Sequence, residues 1–146
     1  MDRQLQAILR TELKYFVRKV FATVSPGEIY QHNWHIEAIV HQLMLVHSGV
    51  NRRLLINQPP RSLKSICVSV AYVAWLLGHD PSRRVIVVSY SVDFAAELHR
   101  QFRMVVDSEW YRELFPATHW NPSKSLRGLC PGRLRESLSG IVGTPR

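Results

Sequence analysis

An arginine, a lysine and a hydroxyl set close together ahead of an apolar run could hold phosphate. Here they are Arg61, Lys64 and Ser65, within the stretch LLINQPPRSLKS at residues 54–65. Lysine brings a point charge and the hydroxyl can ligate magnesium. A helix N-terminus adds free N–H groups and the positive end of a dipole. A standard phosphate loop reads Gly-x-x-x-x-Gly-Lys-Ser/Thr. Aligned on Lys64 and Ser65, Gln58 stands at the first glycine and Leu63 at the second, so both glycines are missing. The ordinary alternative is a strand-to-helix turn with a solvated Arg61 and Lys64. The flanking pattern favours phosphate, because the pair follows an apolar strand and opens an apolar helix.

Those flanking elements must position the loop. Leu54, Leu55 and Ile56 read as a short, fully apolar strand of the buried parallel type. Pro59 and Pro60 stiffen the bend. Residues 64–77 are apolar nearly all round, as a helix deep in a core is. Gly78 closes that helix, and Asp80-Pro81 begins a turn. Val85 to Val88 then read as a second buried strand ending in Ser89, Tyr90 and Ser91. Strand, helix, strand and helix make a right-handed βαβ crossover, with ligands at the carboxyl ends of the strands.

The remainder is helical in pattern. Residues 3–21 carry Leu5, Ile8, Leu9, Leu13, Phe16, Val17, Val20 and Phe21 at helical spacing, with Asp2 as the cap and Lys14, Arg18 and Lys19 off the stripe. Ser25-Pro26-Gly27 ends this helix. Asn33 caps a second one that Gly49 stops. Its histidines, His35, His41 and His47, are six residues apart. Consecutive ones therefore lie about 120° apart around the axis and do not converge on a metal. A fourth helix runs over residues 93–106 with Ser91 as its cap, and a short aromatic helix carries Trp110, Tyr111, Leu114 and Phe115. From Thr118 onward the period dissolves into a basic tail rich in Gly, Pro and Ser. The expected division is a partial nucleotide-binding domain over 1–117 and a poorly ordered tail over 118–146.

The chain has 146 residues, 46% of them hydrophobic, and a net charge of +8. One domain with a real core is expected, and the charge favours an anionic partner, nucleic acid first. Two cysteines at unrelated positions, Cys67 and Cys130, form no disulfide framework and point to a reducing compartment. The N-terminus lacks a signal-peptide pattern, and the longest apolar run falls short of a membrane span.

The string NQPPRSLKS resembles the Walker A variant of phage terminase large subunits, commonly Pro-Pro-Arg-x-x-Lys-Ser. The flanks PGEIYQHNWHIEAIVHQL, WLLGHDPSRRVIVVSYSVDFAAEL and DSEWYRELFP are similar to neighbouring blocks of that family, so the resemblance covers residues 16–116. It implies an α/β fold, a partial P-loop NTPase with three α/β/α layers and parallel strands, in which N-terminal helices precede the Walker A strand. It also implies an ATP-driven motor that packages double-stranded viral DNA into a procapsid. On that reading Gln58, Pro59, Pro60, Arg61, Ser62, Leu63, Lys64 and Ser65 cradle the phosphates of ATP. Lys64 contacts the β- and γ-phosphates, Ser65 ligates Mg, and Arg61 senses or positions the γ-phosphate. Tyr30, Trp34 and His35 lie on the adenine side, where Trp34 could equally be a core aromatic. Ser89, Tyr90 and Ser91 form a strand-tip motif near nucleotide or DNA, where Ser91 could simply cap a helix. The implied partners are double-stranded DNA, the portal protein, the small terminase subunit and copies of itself in a ring. No membrane partner is implied, and the location is the cytoplasm of a bacterial host.

Hydrolysis needs carboxylates that hold magnesium and orient water. Val105-Val106-Asp107 is the one Walker B candidate, and it continues the period of the fourth helix, so it reads as helix surface. The expectation is a truncated chain with no Walker B and no nuclease domain, and therefore no catalytic residue to name. The alternatives are a non-enzymatic basic DNA-binding module, an inactive prophage remnant, or a fragment of another P-loop motor such as a helicase.

Overall fold

A computed structural model describes residues 2–118. The tail expected over 118–146 lies outside the described residues apart from Thr118. The described part is helical: α1 (Arg3–Thr11), α2 (Leu13–Val24), α3 (Trp34–His47), a π-helical segment (Ile66–Tyr72) continuing into α4 (Val73–His79), α5 (Val92–Val106) and α6 (Glu109–Leu114). None of its helices is long and apolar enough to cross a membrane.

The expected α/β architecture does not form. Among the described residues there is no β-strand, so there is no parallel sheet and no three-layer P-loop fold. The two apolar segments expected as strands instead lie open. Leu54 and Ile56 pack against the core while Leu55 between them is 93% exposed. Ile86 and Val88 are more exposed than Val85 and Val87, in alternation. Neither segment shares a backbone hydrogen bond with another described residue. The reason is physical. An apolar run of three or four residues favours an extended chain, but a parallel strand forms only against a neighbour, and a two-stranded pair is marginal in water.

The helix after the loop holds the centre, as its all-round apolar pattern predicts. Its π-helical segment packs against α2, α3 and α5. Cys67, Val70, Ala71, Ala74 and Trp75 are buried along it. Burial also pushes the Cys67 thiol up to about 11, so it is a core side chain and not a reactive one. Phe16 of α2 meets the aromatic helix α6 edge-on, with ring centroids 5.5 Å from Trp110 and 6.3 Å from Tyr111. The Tyr111 hydroxyl donates to the Ala74 carbonyl at 2.8 Å, which satisfies it inside the core.

The caps read from sequence are in place. Asp2 Oδ1 accepts from Gln4 N, Asn33 Oδ1 from Trp34 N, and Ser91 Oγ from Phe94 N at 3.1 Å. Gly27 and Gly49 take positive φ at the two turns. The single N-terminal helix expected over 3–21 is instead two. The chain is extended at Glu12 (φ −111°, ψ 97°), between α1 and α2. The Arg10 carbonyl beside that break accepts from Trp75 Nε1 at 3.1 Å and from His79 Nε2 at 2.9 Å. The Arg10 guanidinium caps the far end of α6 by donating to the Leu114 carbonyl. The break is therefore held by α4 and α6, from distant parts of the chain.

Gly78 has a different role from the helix stop its sequence position suggests. It lies inside α4, buried, where an added Cβ would come within 2.5 Å of the Phe115 ring. It lets α4 approach the residue that follows α6.

Candidate phosphate-binding loop

The loop over 58–65 takes a glycine-type backbone at one of its two missing glycine positions, Leu63, and not at the other, Gln58. Leu63, at the second glycine position, takes φ +59°, and Arg61 takes φ +63°. They are the only non-glycine residues with positive φ among those described. Ser62 between them stays at negative φ, and Ser65 is helical at φ −66°, ψ −38°. Alternation of φ sign along successive residues is the sign pattern of a backbone nest, in which adjacent N–H groups converge on an anion. Left-handed backbone costs a non-glycine residue about 1–2 kcal/mol, so the loop stores strain at two places.

Packing holds that strain. The Leu63 side chain rests on the core, and its carbonyl accepts from Cys67 N at 2.9 Å, closing the first turn of the following helix. Arg61 has no such anchor and is exposed. Arg61→Gly is therefore expected to stabilise the fold by about 1 kcal/mol, the relief exceeding the entropy glycine adds to the unfolded chain. Urea unfolding measures this, and a lower midpoint would show that Arg61 makes a contact that matters.

Polar groups in the loop are left unsatisfied. Gln58 Oε1 and Ser62 Oγ are buried without a hydrogen-bond partner among the described residues. Arg61 and Lys64 have no carboxylate within ion-pair distance there. Pro59 and Pro60 are exposed at the bend. The donor set suits a phosphate: two cations unpaired among the described residues, a buried serine hydroxyl and a left-handed backbone. Ser65, the residue expected to ligate magnesium, has helical backbone directly before the π-helical segment, and its side chain makes no cap hydrogen bond.

The other residues expected at the site are scattered. Tyr30 is half-buried, its ring 5.4 Å from Phe21. Burial pushes its hydroxyl above the usual phenol range, and the Cys67 thiol adds to the rise. Arg18 opposes it and Glu37 raises it further. Tyr30 thus lies within electrostatic reach of Cys67, two residues beyond Ser65. Trp34 is 75% exposed, which removes the core-aromatic alternative, and its ring meets His35 edge-on at 6.3 Å. Tyr90 is 92% exposed and stacks on Phe94 at 5.8 Å. Ser91 caps α5 and Ser89 Oγ lies 3.5 Å from Ser91 N, so these serines have structural duties. The expected strand tip is the start of a helix.

Asp107 is the C-cap of α5 and pairs with Arg103 at 3.1 Å and Arg112 at 3.6 Å. Val105 and Val106 before it are buried on the helix, as its period predicts. His47 packs edge-on against Trp75 at 5.1 Å, and burial, then Arg83 and His79, lower its pKa below the usual histidine value. A cleft of about 250 Å³ lies elsewhere, lined by Lys14, Tyr15, Arg18, Tyr30, His32 and Glu37. The i, i+4 spacing of Lys14 and Arg18 off the apolar stripe is the signal that could have pointed to it.

No protein-family model, curated protein or solved structure matches the chain.

Proposed function

We propose that residues 58–65 bind the phosphates of ATP with magnesium, as the nucleotide-binding segment of a motor that packages double-stranded DNA, of the terminase large-subunit type. The observation that carries this reading is the left-handed backbone at Leu63. Leucine stands where a standard phosphate loop has glycine, and its backbone takes a glycine-type conformation at a cost. Strain of that kind persists where a local geometry has a task. Lys64, Arg61 and the Ser62 hydroxyl, none of which has a partner among the described residues, support it from the side of charge and hydrogen bonding. The Pro-Pro-Arg-x-x-Lys-Ser string and its flanks supply the link to packaging motors. The three-layer sheet is not part of the proposal.

On this reading Lys64 and Arg61 hold the phosphate oxygens, the loop N–H groups receive them, and Ser65 completes the magnesium shell. ATP brings the anionic charge and the metal that the loop is arranged to accept. The partners remain double-stranded DNA, the portal protein, the small terminase subunit and a ring of copies, in a bacterial cytoplasm. Calorimetric titration of Mg-ATP into the wild-type chain and into Lys64→Ala tests it. Binding lost in the variant supports the reading. No binding by the wild-type chain, or equal binding by both, overturns it. A chain that binds duplex DNA but no nucleotide would be the basic DNA-binding module instead, which the net charge of +8 favours on its own.

A further inference from the structure

We infer that residues 84–90 pair antiparallel with the same segment of a second copy of the chain, around a twofold axis at Val87. The segment is an unused edge. None of its backbone N–H or C=O groups has a backbone partner among the described residues. Exposure alternates along it with the period of an extended chain. Ile86 is 73% and Val88 85% exposed, Val85 and Val87 are less so, and Tyr90 continues the outer row. Arg84 has the same parity and is exposed as well. Its neighbour Arg83 pairs with Asp80 at 3.2 Å, whereas Arg84 has no ion pair among the described residues.

The two ends of this row identify the occupant. One end carries the Arg84 guanidinium and the other the Tyr90 ring, and a guanidinium is attracted to an aromatic face. Turned end to end on itself at Val87, the segment sets Arg84 of each copy opposite Tyr90 of the other. The same register sets Ile86 opposite Val88, an apolar pair on one face. A slip of two residues either way opposes Arg84 to Val88 or to Val92 and loses the contact with Tyr90. A parallel pairing sets Arg83 and Arg84 of both copies side by side, and like charges directly opposite are destabilising. The antiparallel one holds the two Arg84 charges about 20 Å apart, beyond the screening length of about 8 Å at physiological salt. Such an interface is isologous and closes at two copies. Main-chain hydrogen bonds along an added strand supply affinity. A pair of strands alone is marginal in water, so the side-chain row decides and the dimer is a weak one. No residue of the loop over 58–65 takes part, so the inference stands apart from the ATP reading.

The test uses the full chain. Sedimentation equilibrium is expected to give the mass of one chain in the micromolar range and to approach that of two towards the millimolar. Added salt strengthens the association, because it screens the repulsion between two copies of net charge +8. Val88→Lys is expected to weaken it about tenfold and Arg84→Gln about fivefold. Both positions are exposed, and circular dichroism confirms that each variant is folded. Oxidative cross-linking in a Cys130→Ser background reads the register. Val87→Cys sets two thiols across the axis with Cα atoms about 5.5 Å apart, so a disulfide-linked dimer forms. Val85→Cys stands about 14 Å from its copy and does not cross-link. Three results overturn the inference: a chain that stays monomeric into the millimolar range, an association that Val88→Lys leaves intact, or equal cross-linking by the two cysteine variants. The first is what a different protein, or another segment of the same chain, covering 84–90 would give.

Discussion

Lys64→Ala is expected to weaken Mg-ATP binding about 100-fold with little change in stability. Lys64 makes no ion pair or hydrogen bond with another described residue, so its removal orphans no described group. In the complex it would make charge-assisted bonds to phosphate oxygens. Such bonds contribute about 1.5–3 kcal/mol each, and roughly 2.7 kcal/mol corresponds to a hundredfold change in affinity. Arg61→Gly provides the contrast, since it should weaken ATP binding while raising stability. Loss of affinity in both variants, with stability unchanged in one and increased in the other, separates a binding defect from a folding defect. A Lys64→Ala chain that unfolds at markedly lower urea would mean that the lysine serves the fold.

Gly78→Ala is expected to destabilise the protein by about 2 kcal/mol, although alanine is the better helix former by about 1 kcal/mol. The added methyl would stand 2.5–2.7 Å from three carbons of the Phe115 ring, which is itself only 5% exposed. The ring packs edge-on against His79 at 5.2 Å and tilts against Tyr111, also at 5.2 Å, so it has little room to withdraw. A smaller side chain at 115 should relieve the clash. Gly78→Ala combined with Phe115→Leu should therefore lose less stability than the sum of the two single variants. Strict additivity in urea unfolding would count against the close approach. A Gly78→Ala chain more stable than wild type would show that helix propensity wins at this position.

The helices were legible because their signals are local. Asp2, Asn33 and Ser91 each supply a side-chain oxygen at the first turn, and the apolar stripes on α2 and α5 follow the helical period. The break at Glu12 was not legible, because the stripe from Leu9 to Leu13 runs through it without interruption. What fixes it is Trp75 and His79 on the Arg10 carbonyl, contacts about 65 residues away along the chain. The strand pattern at 54–56 and 85–88 was a correct reading of apolar runs and an incorrect reading of the fold. Periodicity reports which conformation a segment favours, and pairing depends on a neighbour that the segment does not encode. In the loop, the charges at Arg61 and Lys64 were visible in the letters. The left-handed backbone at Leu63 was not, since leucine normally argues against it. The cleft drew on Lys14 and Arg18, which stood off the helical stripe, and on His32 and Glu37, whose meeting depends on how the chain enters α3.

The open apolar segments also set a clock for the molecule. Amides at Leu55, Ile86 and Val88 lack backbone partners among the described residues, so nothing has to open before their protons exchange with solvent. Amides from Val70 to Leu76 are locked in the central helix and exchange only when that helix opens. Hydrogen–deuterium exchange should therefore show two populations, one complete at the first time point and one persisting to global unfolding. Protection at 85–88 that grows with protein concentration would mean that copies of the chain supply each other with the missing edge.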